Sequence, residues 1–256
     1  MYREWHGPEQ GPVVLLSSGL GGAAGYWAGQ IPALVAAGYR VLAYDQRGTG
    51  RSREALPAGY SIAHMAMDVK QLLDAEGVSR CHFIGHALGG LVGLQLALEQ
   101  PRAVASLVLI NAWAAPNPHS ARCFEARLAL LDHVGAKAYV EAQPIFLYPA
   151  SWAAAHAERV QAEVDHALAH FPGAETMHAR INALRQFDVA AQLGRIEVPT
   201  LLSVAKDDAL VPYTCSDRLR VGIAGAVQHT LAHGGHAHNV TEAELFNEVL
   251  LGFLGR

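Results

Sequence analysis

Three short segments of the chain carry residue types that could do nucleophilic or acid–base chemistry. The first is residues 85–89, Gly-His-Ala-Leu-Gly, which follow an apolar run and open an apolar helical pattern. Flanking glycines suit a sharp strand-to-helix turn that lifts the central side chain above a sheet. The central residue is Ala87, and its methyl group has neither a lone pair nor an acidic proton. Covalent nucleophilic catalysis is therefore closed at this elbow position.

The other two segments supply a carboxylate and an imidazole. Asp207 and Asp208 follow an apolar run, and Asp208 lies four residues before Pro212. The sequence Gly-Gly-His at 234–236 follows the last apolar run and precedes the last helical pattern. Elbow, acid and histidine in this chain order form one known arrangement of a catalytic triad. We therefore predict that His236 is catalytic and that Asp208 orients it, with Asp207 left open as the alternative.

A glycine-rich loop at 19–22 follows the first clear apolar run and could bind a developing oxyanion. The amide of Leu20 in this loop and the amide of Leu88, directly after the elbow centre, are the predicted donors. Ser17 and Ser18 precede the loop, which leaves an esterase mechanism open. Loop hydrogen bonding explains the two serines more simply.

Several other polar residues have structural interpretations. His233, His236 and His238 share one loop without a carboxylate at a defined spacing, so no metal site is expected. His86 is expected to pack beside the site as a supporting residue. The chain shows no Gly-x-Gly-x-x-Gly after a strand and no Walker-type loop, so no cofactor is expected.

Arginines near these segments could recognise a substrate carboxylate. Arg47, Arg122 and Arg127 are each candidates, and the sequence does not choose between them. Asp45 and Arg47, in the turn-rich segment 45–50, are expected to form a structural loop pair.

Apolar runs alternate with helical patterns along most of the chain. Strands are predicted at Val13–Leu16, Arg40–Tyr44, Cys81–Ile84, Ser106–Ile110, Thr200–Val204 and Val227–Leu231. Helices are predicted at Trp27–Ala37, after a Ser61 cap, at Leu88–Leu98, near Ser216–Val221, and through Phe253 after a capping box of Thr241 and Glu244. This alternation predicts an α/β fold with a mostly parallel sheet flanked by helices.

The pattern changes between about Pro116 and Leu193, where alanine-rich helical stretches follow one another. We predict a core made of residues 1–115 and 194–256, with residues 116–193 as a helical cap inserted after the sixth strand. An insertion after a strand's carboxyl end lies over the crevice where such sheets bind ligands.

Composition narrows the class of protein. The chain has 256 residues, of which 51% are hydrophobic and 16% charged, as in globular proteins. A net charge of −4 gives no basic surface for nucleic acid. The three cysteines, Cys81, Cys123 and Cys215, are far apart and indicate a reducing compartment. With no apparent signal peptide or membrane span, a cytoplasmic location is expected.

Six motifs carry a more specific resemblance, and they are residues 44–50 (YDQRGTG), 85–89 (GHALG), 122–124 (RCF), 140–150 (VEAQPIFLYPA), 234–237 (GGHA) and 239–241 (NVT). From about Val13 to Leu254 the chain resembles the α/β-hydrolase superfamily. More narrowly, it is similar to the RutD-type aminoacrylate/carbamate hydrolases of bacterial pyrimidine degradation. That family also has alanine at the elbow, which implies that Ala87 is native.

The resemblance implies a hydrolase acting on a C–N bond other than a peptide bond, in the release of nitrogen from uracil and thymine. The implied substrates are carbamate, or 3-aminoacrylate, which yields ammonia and malonic semialdehyde. Both decay without an enzyme, so non-covalent assistance by His236 and Asp208 would be enough. The expected partner is a small molecule, and a homodimer through the helical insertion stays open.

Two other function classes also fit the residues. A pseudo-enzyme that binds a small acid would equally lack a nucleophile at Ala87, although it would have no need of Asp208 and His236. Other nucleophile-free activities on this fold, such as C–C hydrolysis, lyase or cofactor-free oxygenase chemistry, remain a further alternative.

Overall fold

The computed structural model describes residues 1–255, and within them seven strands form one sheet in the order β1-β3-β2-β4-β5-β6-β7. The strands are β1 (Arg3–His6), β2 (Val13–Ser17), β3 (Arg40–Tyr44), β4 (Cys81–His86), β5 (Val104–Ile110), β6 (Thr200–Ala205) and β7 (Val227–Leu231). Only β1 is antiparallel to its neighbour, β3. The mostly parallel α/β fold predicted from the sequence is confirmed.

Helices lie along the chain between and after these strands. Within residues 1–255 they are α1 (Ile31–Ala36), α2 (Ile62–Ala75), α3 (Leu88–Glu99), α4 (Pro118–His133), α5 (Ala136–Glu141), α6 (Gln143–Leu147), α7 (Ala150–Ala155), α8 (Ala157–Ala169), α9 (Ala174–Gln186), α10 (Thr214–Gly222), α11 (His238–Thr241) and α12 (Ala243–Leu254). Short 3-10 segments cover Ala24–Trp27, Pro101–Ala103 and Ala190–Arg195. In this described part of the chain, no helix combines the length and the apolar character needed to cross a membrane.

Alternate strand residues face two separate cores, because successive side chains of a strand point to opposite faces of the sheet. Leu15 and Phe83 pack in one core with α2 and α3. Leu16 and Ile84 pack in the other with α1 and α12. Helices therefore cover both faces, which is what a buried parallel sheet requires.

Three local predictions differ from the structure. The helix expected at Trp27–Ala37 divides into a 3-10 segment and α1, because Pro32 fits only the first turn of a helix. Strand β1 was not predicted, since its four residues form an edge strand with no apolar run. The capping box is wrong: Thr241 ends α11 and donates its hydroxyl to the Gly234 carbonyl at 2.8 Å, while Glu242 precedes α12.

Helices α4 to α9 occupy the chain between β5 and β6, and we call these six helices the cap. The expected position of the cap after a sixth strand is wrong: within residues 1–255 the cap follows the fifth strand, β5, since one strand, β1, precedes β2. The domain boundaries at 115/116 and 193/194 stay a prediction. The cap follows the carboxyl end of β5, on the side of the sheet where the elbow also lies.

Candidate active site

Ala87 lies in a strained turn between β4 and α3. Its φ of 48° and ψ of −112° fall where residues with a Cβ are rarely found. The flanking glycines are required by close approach, since a Cβ on Gly89 would overlap the carbonyl oxygen of Ser17 and one on Gly85 would overlap that of Gly89. The turn has the geometry of a nucleophile elbow, with a methyl group at its tip.

His236 and Asp208 form a buried pair. His236 Nδ1 donates to Asp208 Oδ2 at 2.8 Å, and the two side chains are 2% and 0% exposed. The second carboxylate oxygen accepts the amides of Leu210 and Val211 at 2.7 and 2.8 Å. In the neutral imidazole, donation by Nδ1 leaves the lone pair on Nε2, and the His236 ring lines a cavity.

Asp207 has a different task from its neighbour. Its carboxylate accepts the amides of Gly234 and Gly235 at 3.2 and 2.9 Å. Both glycines have positive φ, at 130° and 69°, which lets the loop turn so that these amides face the carboxylate. The alternative that the sequence left open is thus resolved geometrically: Asp208 contacts the imidazole of His236, and Asp207 holds the loop that carries it.

Two further residues hold the backbone of the histidine loop, and sequence reasoning missed one of them. Asn111 Nδ2 and His86 Nε2 both donate to the His236 carbonyl, at 2.6 and 2.9 Å. His86 also stacks on Tyr26, with ring centroids 4.9 Å apart, and burial lowers its pKa well below the ordinary value. His86 therefore lies beside the site as a neutral ring and holds the backbone of the histidine loop. The signal for Asn111 was a lone polar residue directly after a buried strand.

The two residues that carry the predicted oxyanion donors, Leu20 and Leu88, both line the cavity. Within residues 1–255, neither the Leu20 nor the Leu88 amide donates to another backbone group. Leu88 is the first residue of α3, where amides lack intrahelical partners and the helix dipole favours negative charge. The Leu20 carbonyl is held from the opposite side by Arg180 of α9, whose Nε and Nη2 donate to it at 3.2 and 3.1 Å.

The serines before this loop lack the partners of a nucleophile. Ser17 Oγ lies 2.9 Å from the hydroxyl of Tyr44 and accepts from Gln46 at 3.3 Å. Ser18 Oγ is buried without a partner in the part of the chain that the structure describes. An activated serine needs a hydrogen-bonded base, and neither hydroxyl is bonded to a histidine in that part.

The predicted loop pair of Asp45 and Arg47 is wrong. Asp45 instead binds Arg51 at 2.9 Å, and Arg47 binds Asp68 of α2 at 2.7 Å. Gly50, with φ of 51°, passes so close to the Asp45 carboxylate that a Cβ there would contact it. This tight turn brings Arg51, rather than Arg47, beside the acid.

The three histidines of the last loop face different surroundings. His233 has a side chain 85% exposed, whereas His236 contacts Asp208. His238 is fully buried with Nε2 2.8 Å from Ser203 Oγ, and burial lowers its pKa to about 3. The three rings therefore do not share a ligand position.

A cavity of about 590 Å³ joins the elbow, the oxyanion loop and the cap. Its volume is in the range of small-molecule sites, and its walls are mainly apolar. Of the three candidate arginines only Arg127 lines it, since Arg47 is bound to Asp68 and Arg122 is exposed.

Comparison with known proteins agrees with this geometry. A family model described as the alpha/beta hydrolase fold matches residues 12–147. The chain is 66% identical over 256 residues to RutD of Variovorax paradoxus strain S110, covering 100% of this chain and 96% of the relative. It is 54% identical to RutD of Stutzerimonas stutzeri strain A1501, covering 99% and 96% of the two chains. Both relatives are named with carbamate hydrolysis as a provisional activity.

A solved structure shows the same fold over nearly the whole length. The crystal structure of a hydrolase from Pseudomonas aeruginosa PA01 matches with a TM-score of 0.90 at 32% identity, covering 99% of this chain and 94% of the other. By sequence and by fold together, this chain belongs to the α/β-hydrolase family and, within it, to the RutD type.

Proposed function

We propose that this protein hydrolyses a small C–N substrate, carbamate or 3-aminoacrylate, with release of ammonia and without a covalent intermediate. The observation that carries the proposal is the pairing of His236 with Asp208 at 2.8 Å beside an elbow whose tip is Ala87. The names of the RutD relatives support carbamate as the substrate. The activity belongs to the hydrolases of non-peptide C–N bonds.

In the proposed reaction His236 works as a base and then as an acid. Nε2 takes a proton from a water molecule beside Ala87, and the water oxygen bonds to the reacting carbon. The amides of Leu20 and Leu88 bind the oxygen on which negative charge develops. The imidazolium returns the proton to nitrogen as the C–N bond breaks, so carbamate and water give bicarbonate and ammonia. Such acid–base assistance gives about two to four orders of magnitude in rate.

An elbow that carries Ala87 in place of a nucleophile is consistent with carbamate and 3-aminoacrylate as substrates. Both break down spontaneously, so the modest acceleration available from one base and two amides is sufficient. With 3-aminoacrylate, C2 gains a proton, water adds to C3 and ammonia leaves from C3, which gives malonic semialdehyde. We propose that this reaction releases nitrogen from pyrimidines. We also propose a cytoplasmic location, which three buried free cysteines support. A homodimer stays a prediction.

A second candidate function is binding of a small acid without turnover. The inert methyl of Ala87 favours it, as does Arg127 in the cavity wall, whose Nε has no hydrogen-bond partner within residues 1–255. The His236 pair argues for hydrolysis, since a binder has no need of an oriented base. Calorimetry that showed binding of 3-aminoacrylate or carbamate, with ammonia release at the spontaneous rate, would favour the binder.

The test is ammonia release from freshly prepared carbamate and 3-aminoacrylate, measured against a blank without protein. We expect release above the blank for the unmodified protein and a fall of about a hundredfold or more in the enzymatic part for His236→Ala. His233→Ala is the matched control, because it removes an exposed histidine from the same loop. Equal rates for the protein, His236→Ala and the blank on both substrates would contradict the proposal.

A further inference from the structure

The cavity contains a cationic side chain that the proposed reaction does not use. Arg127 of α4 is 3% exposed and lines the cavity. Its Nη2 donates to the Tyr139 hydroxyl at 3.2 Å and to the side-chain oxygen of Gln143. Its Nε is buried without a partner within residues 1–255. A guanidinium has five donors, so this one retains unused hydrogen-bonding capacity.

Apart from the histidines, the other charged side chains of the cavity wall are already matched. Asp45 pairs with Arg51 at 2.9 Å, and both line the cavity. Glu163 pairs with Arg159 at 3.0 Å. Among the described lining residues, Arg127 is therefore the one full charge without an opposite charge beside it.

The surroundings of Arg127 favour an anion over water. Its Cζ lies 5.2 Å from the ring centre of Phe124, 5.5 Å from that of Tyr139 and 5.6 Å from that of Phe146. Aromatic faces stabilise the cation while excluding solvent, and attraction between charges is stronger where water is excluded. The Tyr139 hydroxyl accepts from Arg127, so its own hydrogen is available to a second acceptor.

The position of Arg127 on helix α4 shows where it lies relative to His236 and Asp208. One turn earlier on the same face, Cys123 Sγ contacts the carbonyl of Ala209, in the loop that carries Asp208, at 3.6 Å. Residues four apart on a helix are neighbours about 6 Å apart. Arg127 thus lies a helical turn beyond the contact with the acid loop, at a position distinct from that of His236.

The size of the cavity also leaves room for a carboxylate site at Arg127 that is separate from the reaction site at His236. Its volume of about 590 Å³ is in the range of sites for small molecules much larger than carbamate. Carbamate has only four heavy atoms, and its single carbon is both the carboxylate carbon and the reacting carbon. It cannot occupy an anion site and a separate reaction site at once.

We propose that Arg127, assisted by the Tyr139 hydroxyl, binds the carboxylate of a substrate whose reacting carbon is separate from that carboxylate. The planar guanidinium matches a carboxylate with two parallel hydrogen bonds. Of the two candidate substrates, 3-aminoacrylate has this form and carbamate does not. The part of this inference that concerns the reacting carbon rests on the proposed function, whereas binding of a carboxylate at Arg127 requires no turnover.

The experiment compares two unreactive ligands of equal size, propionate and propionamide, by NMR titration. For the unmodified protein we expect propionate to bind about tenfold or more tightly than propionamide. Arg127→Met keeps the length and apolar stem of the side chain, and we expect it to abolish this preference. Arg122→Met, on the exposed side of the same helix, is the control and should keep the preference.

The ratio of the two affinities separates binding from a structural role, since loss of packing alone would weaken both ligands together. If Arg127→Met does not fold, Tyr139→Phe provides the second variant and should lower the preference severalfold. No preference in the unmodified protein, or an unchanged preference in Arg127→Met, would overturn the inference. A retained preference without any ammonia release would remove the proposed hydrolysis and leave the carboxylate site standing.

Discussion

Ala87 retains a costly backbone conformation although it has no nucleophile to present. A residue in such a sparsely populated region costs about 1–3 kcal/mol and persists only where its surroundings enforce it. Here the close contacts of Gly85 and Gly89 enforce the turn. The same turn leaves the Leu88 amide free at the start of α3. In the proposed reaction the elbow therefore positions an oxyanion donor, the Leu88 amide.

This geometry predicts that a nucleophile can be restored. In Ala87→Ser the new hydroxyl would occupy the tip of the elbow, facing the same cavity as His236. We expect slow hydrolysis of a chromogenic ester such as p-nitrophenyl acetate, with a burst of product from an acyl-enzyme. Ala87→Gly changes the same position without adding a hydroxyl, and it should show no burst. A folded Ala87→Ser protein without a burst would mean that the elbow does not direct its side chain at His236.

Helix α9 of the cap is joined to the oxyanion loop by hydrogen bonds from Arg180 to the Leu20 carbonyl. Arg180 is fully buried and, within residues 1–255, its hydrogen bonds go to the Leu20 and Arg47 carbonyls and to Gln46 Oε1 rather than to a carboxylate. Burial lowers its pKa from the ordinary value, as expected for a cation removed from water. Because the guanidinium fixes the carbonyl of Leu20, it also fixes the direction of the amide in the same loop.

Replacing Arg180 by methionine leaves the Leu20 carbonyl and the Gln46 amide oxygen without their donors. We expect a loss of about 1–3 kcal/mol in the free energy of unfolding, measured with urea, together with slower ammonia release. Arg185→Met is the control on the same helix. Arg185 pairs with the exposed Glu125 at 3.5 Å, so a change within about 0.5 kcal/mol is expected. Equal losses for the two variants would contradict a special role for Arg180.

The elements show which features a sequence can reveal. The period of hydrophobic residues predicted the order of the strands along the chain. The spacing of Asp208 before Pro212 indicated that Asp208 pairs with His236. Both are local signals. The hydrogen-bond partners of Arg180 and Asn111 were not predictable, since they lie 160 and 125 residues away in the sequence. The capping box at Thr241 failed for a different reason, because the Thr241 hydroxyl donates to the Gly234 carbonyl of the preceding loop instead of capping a helix. Hydrogen bonds between residues far apart in the sequence therefore decide the contacts of Arg180 and Asn111, which local patterns leave open.

At the scale of the whole molecule, the cap is tied to the core by hydrogen bonds around the cavity. Ser120 of α4 donates to the Leu210 carbonyl at 2.7 Å, and the Leu147 carbonyl accepts the Ala237 amide at 3.0 Å. The first contact reaches the acid loop and the second the histidine loop. Movement of the cap would therefore disturb both members of the proposed catalytic pair, which couples access to the cavity with the geometry of the site.

The three cysteines can report whether the cap opens separately from the core. Cys123 and Cys215 lie where α4 meets the core, since Cys123 contacts the Ala209 carbonyl and Cys215 accepts from Asn117 at the start of α4. Cys81 lies in β4 and is 1% exposed, and burial raises its thiol pKa to about 12. We expect N-ethylmaleimide to label Cys123 and Cys215 well before Cys81 in moderate urea, because local opening requires less free energy than global unfolding. Mass spectrometry of the labelled peptides gives the three rates, with full unfolding as the control in which all three react rapidly. Equal rates for the three thiols below the unfolding midpoint would show that cap and core open only as one unit.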